Sequence, residues 1–163
     1  MRIQDVMSHP PVTCPKSSTL DHAARLMWEF DCGVIPVVDD DGRLAGIITD
    51  RDICMAAYTQ GRLLAAIPIT TAMASHVVAS RASDPVEQVE QLMRDNQIRR
   101  LPVVDQDGRP IGIVSMNDLA RLAARAKKSA VDRDLVKTMA AVCQPRGHAE
   151  VVEPALITRP LAV

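Results

Sequence analysis

The chain predicts an α/β fold built from two intertwined copies of a strand, helix, hairpin, helix unit, and three observations carry that expectation. Residues 36 to 47 (Pro-Val-Val-Asp-Asp-Asp-Gly-Arg-Leu-Ala-Gly-Ile) and 102 to 113 (Pro-Val-Val-Asp-Gln-Asp-Gly-Arg-Pro-Ile-Gly-Ile) repeat at an offset of 66, which holds without a gap from Met7/Met73 to Ala57/Ala123. In each copy apolar residues at helical spacing flank a β-rich stretch. An Asp-Gly pair divides that stretch, and glycine supplies the positive φ of a tight hairpin turn. With 163 residues in all, each half alone would bury too little core, so the copies should fold as one pair with pseudo-two-fold symmetry.

Each element follows from local pattern. Val12-Thr13 and Val78-Ala79 read as short strands, each leading to a capping residue and an amphipathic helix. The first helix carries Leu20, Ala23, Ala24 and Met27; its counterpart carries Val86, Val89 and Met93. Hairpins follow at Val34 to Val38 with Leu44 to Ile48, and at Leu101 to Val104 with Ile111 to Val114. A second helix then carries Ile53, Ala56 and Ala57, or Leu119, Leu122 and Ala123. These small apolar stripes are expected to pack across a two-fold interface. The segment Thr59 to Ala66, with Gly61 and leading into Pro68, marks the seam. Residues 1–66 and 67–127 are therefore the two repeats; 128–143 forms a helix capped by Asp132, and 144–163 an irregular tail containing Pro145, Gly147, Pro154 and Pro160.

Composition narrows the function. A net charge of −1, from 19 basic and 20 acidic residues, offers no field to concentrate nucleic acid. Aromatic residues make up 2% of the chain, too few for a base-stacking platform. The N-terminus shows no leader and no run long enough to span a bilayer, so a soluble cytoplasmic protein is expected. Cys14, Cys32, Cys54 and Cys143 form no CxxC pair and should be reduced thiols, although Cys14 and Cys32 fall near matching edges of the first repeat. His9, His22, His76 and His148 match no zinc spacing, and the acidic runs Asp39 to Asp41 and Asp105-Gln106-Asp107 are explained by turn chemistry. No nucleophile stands with a base, which argues against an enzyme.

The chemistry-bearing motif is Gly-Ile-Ile-Thr-Asp-Arg-Asp (46–52), repeated as Gly-Ile-Val-Ser-Met-Asn-Asp (112–118). It has two readings. Ser or Thr followed by Asp three residues later is close to a capping box, with Thr49 or Ser115 as N-cap. Alternatively, a helix N-terminus receives a phosphate while the carboxylate accepts both vicinal hydroxyls of a ribose, the glycine letting a ligand approach the strand. Spacing alone leaves both open.

The duplicated unit, with Pro-Val-Val-Asp-x-Asp-Gly and the Gly-to-Asp motif in both copies, resembles a tandem pair of cystathionine-β-synthase (CBS) domains, the Bateman module, over roughly residues 1 to 127. The resemblance implies a stand-alone regulatory sensor that binds adenine-containing ligands in two clefts between the repeats: AMP, ADP, ATP, S-adenosylmethionine or NAD. Carried over residue by residue, the first cleft takes Thr49 and Asp52 with Val78, Ala79, Arg99, Arg100 and Leu101. The second takes Ser115 and Asp118 with Val12, Thr13, Val34 and Ile35, while Ile47 and Ile113 lie against the base. Arg99 and Arg100 correspond to Gly33 and Val34, so the first cleft is expected to favour charged nucleotides and the second a nucleoside, AMP or S-adenosylmethionine. The resemblance also implies a homodimer that relays occupancy to a regulated protein, with no catalytic cofactor and no metal. A competing expectation is an oligomerisation scaffold whose Thr/Ser-x-x-Asp motifs serve only as helix caps.

Overall fold

The computed structural model describes residues 1–125 and 130–144. It contains two three-stranded sheets and five helices. Repeat one comprises β1 (Cys14–Pro15), α1 (Leu20–Glu29), β2 (Val34–Val38), β3 (Leu44–Thr49) and α2 (Asp50–Gln60). Repeat two comprises β4 (Ser80–Arg81), α3 (Val86–Asn96), β5 (Arg100–Val104), β6 (Pro110–Ser115) and α4 (Met116–Arg125). The first strand of each repeat starts two residues beyond the expected Val12-Thr13 and Val78-Ala79. It pairs in parallel with the second strand, which runs antiparallel to the third.

The hairpin turns form as their sequences require. Gly42 and Gly108 adopt φ values of 77° and 81°. Asp39 Oδ1 accepts the amides of Asp41 and Arg43, and Asp105 Oδ1 those of Asp107 and Arg109. The acidic runs are thus turn-forming, each carboxylate replacing backbone acceptors the sharp reversal cannot supply.

The repeats interlock through exchanged lead segments. Ile3 N donates to Asp84 O at 3.0 Å, and Val86 N, at the start of α3, donates to Met1 O at 3.2 Å. In the mirror arrangement, Ile69 N donates to Ser18 O at 2.9 Å and Leu20 N, at the start of α1, to Ile67 O at 3.0 Å. Neither Thr19 nor Pro85 provides a side-chain cap. In place of the side-chain capping expected there, a backbone carbonyl from the exchanged segment receives the N–H of the first helical residue, another of the orphan donors at the helix start. Ile3 accordingly belongs to the core of repeat two, with Val89, Met93 and Leu101, while Ile67 and Ile69 belong to that of repeat one, with Leu20, Ile35 and Ile48. The seam between sequence copies is therefore not the seam between cores.

The small apolar stripes are also assigned differently. Ile53 and Ala56 are buried within repeat one and Leu119 and Ala123 within repeat two, while Ala57 and Leu122 are half-buried, so only part of each stripe is taken up by the core of its own repeat. An additional helix, α5 (Ala130–Val142), packs on α3 and α4, burying Leu135 and Val142. It starts two residues before the expected cap, Asp132. All of the expected tail after Gln144 lies outside the described residues. Repeat one has no described counterpart of α5, and the corresponding side exposes Trp28 and Tyr58.

One carboxyl is placed at a cost. Glu90 on α3 is buried, with Oε1 unpartnered among the described residues. Burial raises its pKa above the ordinary carboxylate range, opposed by nearby Arg94 and reinforced by Asp134 and Glu87. The folded chain thus holds this proton more tightly than the unfolded chain, and Glu90's contribution declines as pH rises from the unfolded value through the raised folded one. Glu90→Gln is expected to raise the thermal midpoint at about pH 8 and to change it less at about pH 4. Thermal unfolding at both pH values checks this, and an equal shift at both would show that the charge is not responsible.

Candidate functional site

In both repeats the Gly-to-Asp motif spans the end of the third strand and the first turn of the following helix. Thr49 is the N-cap of α2: its Oγ1 accepts from Asp52 N at 3.2 Å, while Asp52 Oδ2 accepts from Thr49 N at 2.9 Å and Thr49 Oγ1 at 2.7 Å. Ser115 and Asp118 reproduce this, with Asp118 Oδ2 accepting from Ser115 N at 2.8 Å and Ser115 Oγ at 2.5 Å. The capping-box reading is correct as far as it goes, since it uses one carboxylate oxygen of each aspartate.

The remaining oxygens distinguish the repeats. Asp118 Oδ1 accepts from Ser8 Oγ at 3.3 Å and from Arg121 Nη2 in an ion pair, and Asp118 is only 5% exposed. Residues 8 and 121 correspond to Ala74 and Met55 in the first copy. Neither of those side chains can donate such a bond. Asp52 Oδ1 accordingly has no hydrogen-bond partner among the described residues. Sequence reasoning missed Arg121, although its signal was present: an arginine one helical turn after the motif aspartate, in one copy only.

Beside Asp118 lies a cavity of about 330 Å³ between the repeats. Ser115, Asp118, Ile113 and Arg121 of repeat two form one side; Val12, Val34, Cys32 and Asp31 of repeat one form the other. Burial, reinforced slightly by Asp31, pushes the Cys32 thiol's pKa up against smaller lowering effects from the Val34 backbone and Arg100.

Several expected positions are corrected by this geometry. Arg100, assigned to the first cleft, lines the cavity at the second. It reaches across the pseudo-two-fold to Gly33, where a Cβ would stand in ordinary contact with its Nη2 at 3.5 Å but only 2.8 Å from Asp50 Oδ2, so the missing side chain makes room for the Asp50 carboxylate. The expectation that only the first cleft receives the arginine pair therefore fails. Arg99 is exposed, and its carbonyl accepts from Met116 N at 3.0 Å. Ile35 and Leu101 are fully buried in the cores of their own repeats, because strand alternation turns them away from Val34 and Arg100. Thr13, Val78, Ala79 and Ile47 are half-buried, and Val78 packs on the core of repeat two. The motif glycines serve a different approach from the one expected: Cβ atoms at Gly46 and Gly112 would lie 2.6 Å from Met73 Sδ and Met7 Sδ, so the space admits the exchanged segments rather than a ligand.

Among the described residues no cluster of three or more His, Cys, Asp or Glu side chains is disposed to hold a metal ion, and no helix is long and apolar enough to cross a membrane.

Interlocked strand, helix, hairpin, helix repeats, with a carboxylate at the start of each second helix and a cavity beside Asp118, define a tandem α/β module. Comparison with known proteins agrees: the CBS domain model matches residues 3–58 and 67–125, and the chain belongs to the CBS domain family. It is 39% identical over 118 residues to the CBS domain-containing protein YhcV of Bacillus subtilis, covering 72% of this chain and 82% of YhcV. It is 30% identical over 147 residues to hypoxic response protein 1 of Mycobacterium tuberculosis, covering 87% of this chain and 94% of that protein. Among solved structures, it resembles the CBS domain pair of protein MJ0100 in complex with 5′-methylthioadenosine and S-adenosyl-L-methionine. That match has a TM-score of 0.72 and 31% identity, covering 78% of this chain and 98% of that one.

Proposed function

We propose that the chain is a regulatory sensor that binds an adenine-containing ligand between its repeats and relays occupancy to a protein partner. The observation that carries this reading is the cavity between the repeats, walled by the motif pair Ser115 and Asp118. Its volume of about 330 Å³ falls within the range of small-molecule pockets. The related CBS pair solved with two adenosyl compounds supports the ligand class.

In this reading Asp52 and Asp118 accept ribose hydroxyls. Thr49 and Ser115 fix the carboxylates, and Ile47 and Ile113 face the base. Val78, Ala79 and Arg99 complete the first cleft, and Val12, Thr13, Val34 and Arg100 the second. AMP, ADP, ATP, S-adenosylmethionine and NAD are the candidate ligands. The module works in the cytoplasm as a homodimer, without catalysis of its own, and α5, docked on α3 and α4, carries the change outward. A ligand shifts this equilibrium only through its different affinity for the two arrangements.

Thermal-shift titration with each candidate is the test, because a compound that binds only the folded chain raises its midpoint. A rise with at least one adenine compound and none with guanosine monophosphate is expected. No rise with any of them would favour the scaffold reading, which the complete capping boxes at Thr49 and Ser115 otherwise support equally well.

A further inference from the structure

We propose that Arg121 is a built-in lock on the second cleft, making that cleft selective for adenine ligands that carry a phosphate over uncharged nucleosides and cationic sulfonium compounds. The inference rests on the ligand-binding reading above and deepens it.

Asp118 is the group a ribose would need, yet its second oxygen is already held by Arg121 and Ser8. A nucleoside must displace a cation from a buried carboxylate and offers only neutral hydroxyl donors in return, leaving the guanidinium without a counter-charge. A phosphate supplies that counter-charge. Arg121 lines the same cavity as Asp118, and its side chain is 60% exposed, so it is free to swing from the carboxylate to an incoming anion. Arg100 lines that cavity too, and its side chain forms no hydrogen bond or ion pair among the described residues, so a second guanidinium is available for the same anion. A sulfonium ligand has no use for either guanidinium and could only compete with Arg121 for the carboxylates Asp118 and Asp31 that also line the cavity. This reverses the assignment expected from sequence, in which the first cleft took the charged ligands.

The two copies provide an internal control. Asp52 has the equivalent cap, but the positions corresponding to Arg121 and Ser8 are Met55 and Ala74, so its second oxygen needs no displacement. The variant Arg121→Met/Ser8→Ala therefore rebuilds around Asp118 the surroundings of Asp52. Calorimetric titration of the full chain with adenosine and with AMP, in an Asp52→Ala background that isolates the second cleft, decides the matter. AMP is expected to bind about tenfold or more tightly than adenosine when Arg121 is present. In the variant, adenosine affinity should rise and the ratio should fall severalfold, Arg100 alone remaining to meet the phosphate, with circular dichroism unchanged. A variant that leaves the ratio unchanged, or that weakens both ligands equally, overturns the lock. If AMP binds the wild type but not the Asp52→Ala chain, the lock is again overturned while the ligand-binding reading stands. If AMP fails to bind the wild type at all, both fall.

Discussion

Ile3→Ala is expected to destabilise the whole chain by about 2–5 kcal/mol, although Ile3 precedes the first element of its own repeat. Ile3 is fully buried among Val89, Met93 and Leu101 of repeat two, so truncation empties a site in the core of the other half. Its pseudo-equivalent Ile69, fully buried beside Leu20 and Ile35 of repeat one, should behave alike. Because each exchanged segment also supplies the carbonyl that receives the first N–H of a helix, the loss should be felt by both halves and unfolding should remain a single transition. Denaturant titration checks both points. A loss below about 0.5 kcal/mol, the scale of ordinary surface substitutions, would contradict the exchange.

Asp52→Ala should weaken AMP binding at the first cleft by roughly 1.5–3 kcal/mol, the range for a hydrogen bond to a charged group. The stability cost should be smaller, about 1 kcal/mol, because the substitution also removes the acceptor for the Thr49 amide and hydroxyl. The two effects separate the two roles proposed for the carboxylate: Oδ2 completes the cap, and Oδ1, without a partner among the described residues, would accept from a ligand. Calorimetry with AMP, alongside chemical unfolding of the same variant, measures both. Loss of stability with unchanged affinity would leave Asp52 as a cap alone.

What could be read from sequence was the part fixed by short-range chemistry. The hairpins follow from Asp-Gly and the carboxylates at Asp39 and Asp105, the helices from apolar spacing, and the Thr49/Asp52 and Ser115/Asp118 pairs from their three-residue separation. What could not be read depended on how one copy crosses the other. Gly46 and Gly112 were legible as close approaches, but that Met73 and Met7 fill the space follows only from the exchange of lead segments. Arg100 was legible as a site arginine, yet its cleft depends on the side chain crossing toward Gly33. Helical spacing marked Leu119 and Ala123 as apolar and pointed to a two-fold interface, whereas their burial in the core of repeat two, with α5 packed on α4, depends on the tertiary fold. Arg121 departs from the repeat, and positions where duplicated copies disagree next to a shared motif are where their functions can diverge.

The central claim, that a motif carboxylate in each cleft recognises the vicinal hydroxyls of a ribose, is tested most directly by titrating the wild-type chain with AMP and with its 2′-deoxy counterpart. Removing one hydroxyl leaves the base and phosphate unchanged but takes away half of the donor pair offered to Asp52 and Asp118. AMP should bind about tenfold or more tightly than deoxy-AMP, the penalty for losing a hydrogen bond to a charged group. Equal affinity for the two would contradict the claim.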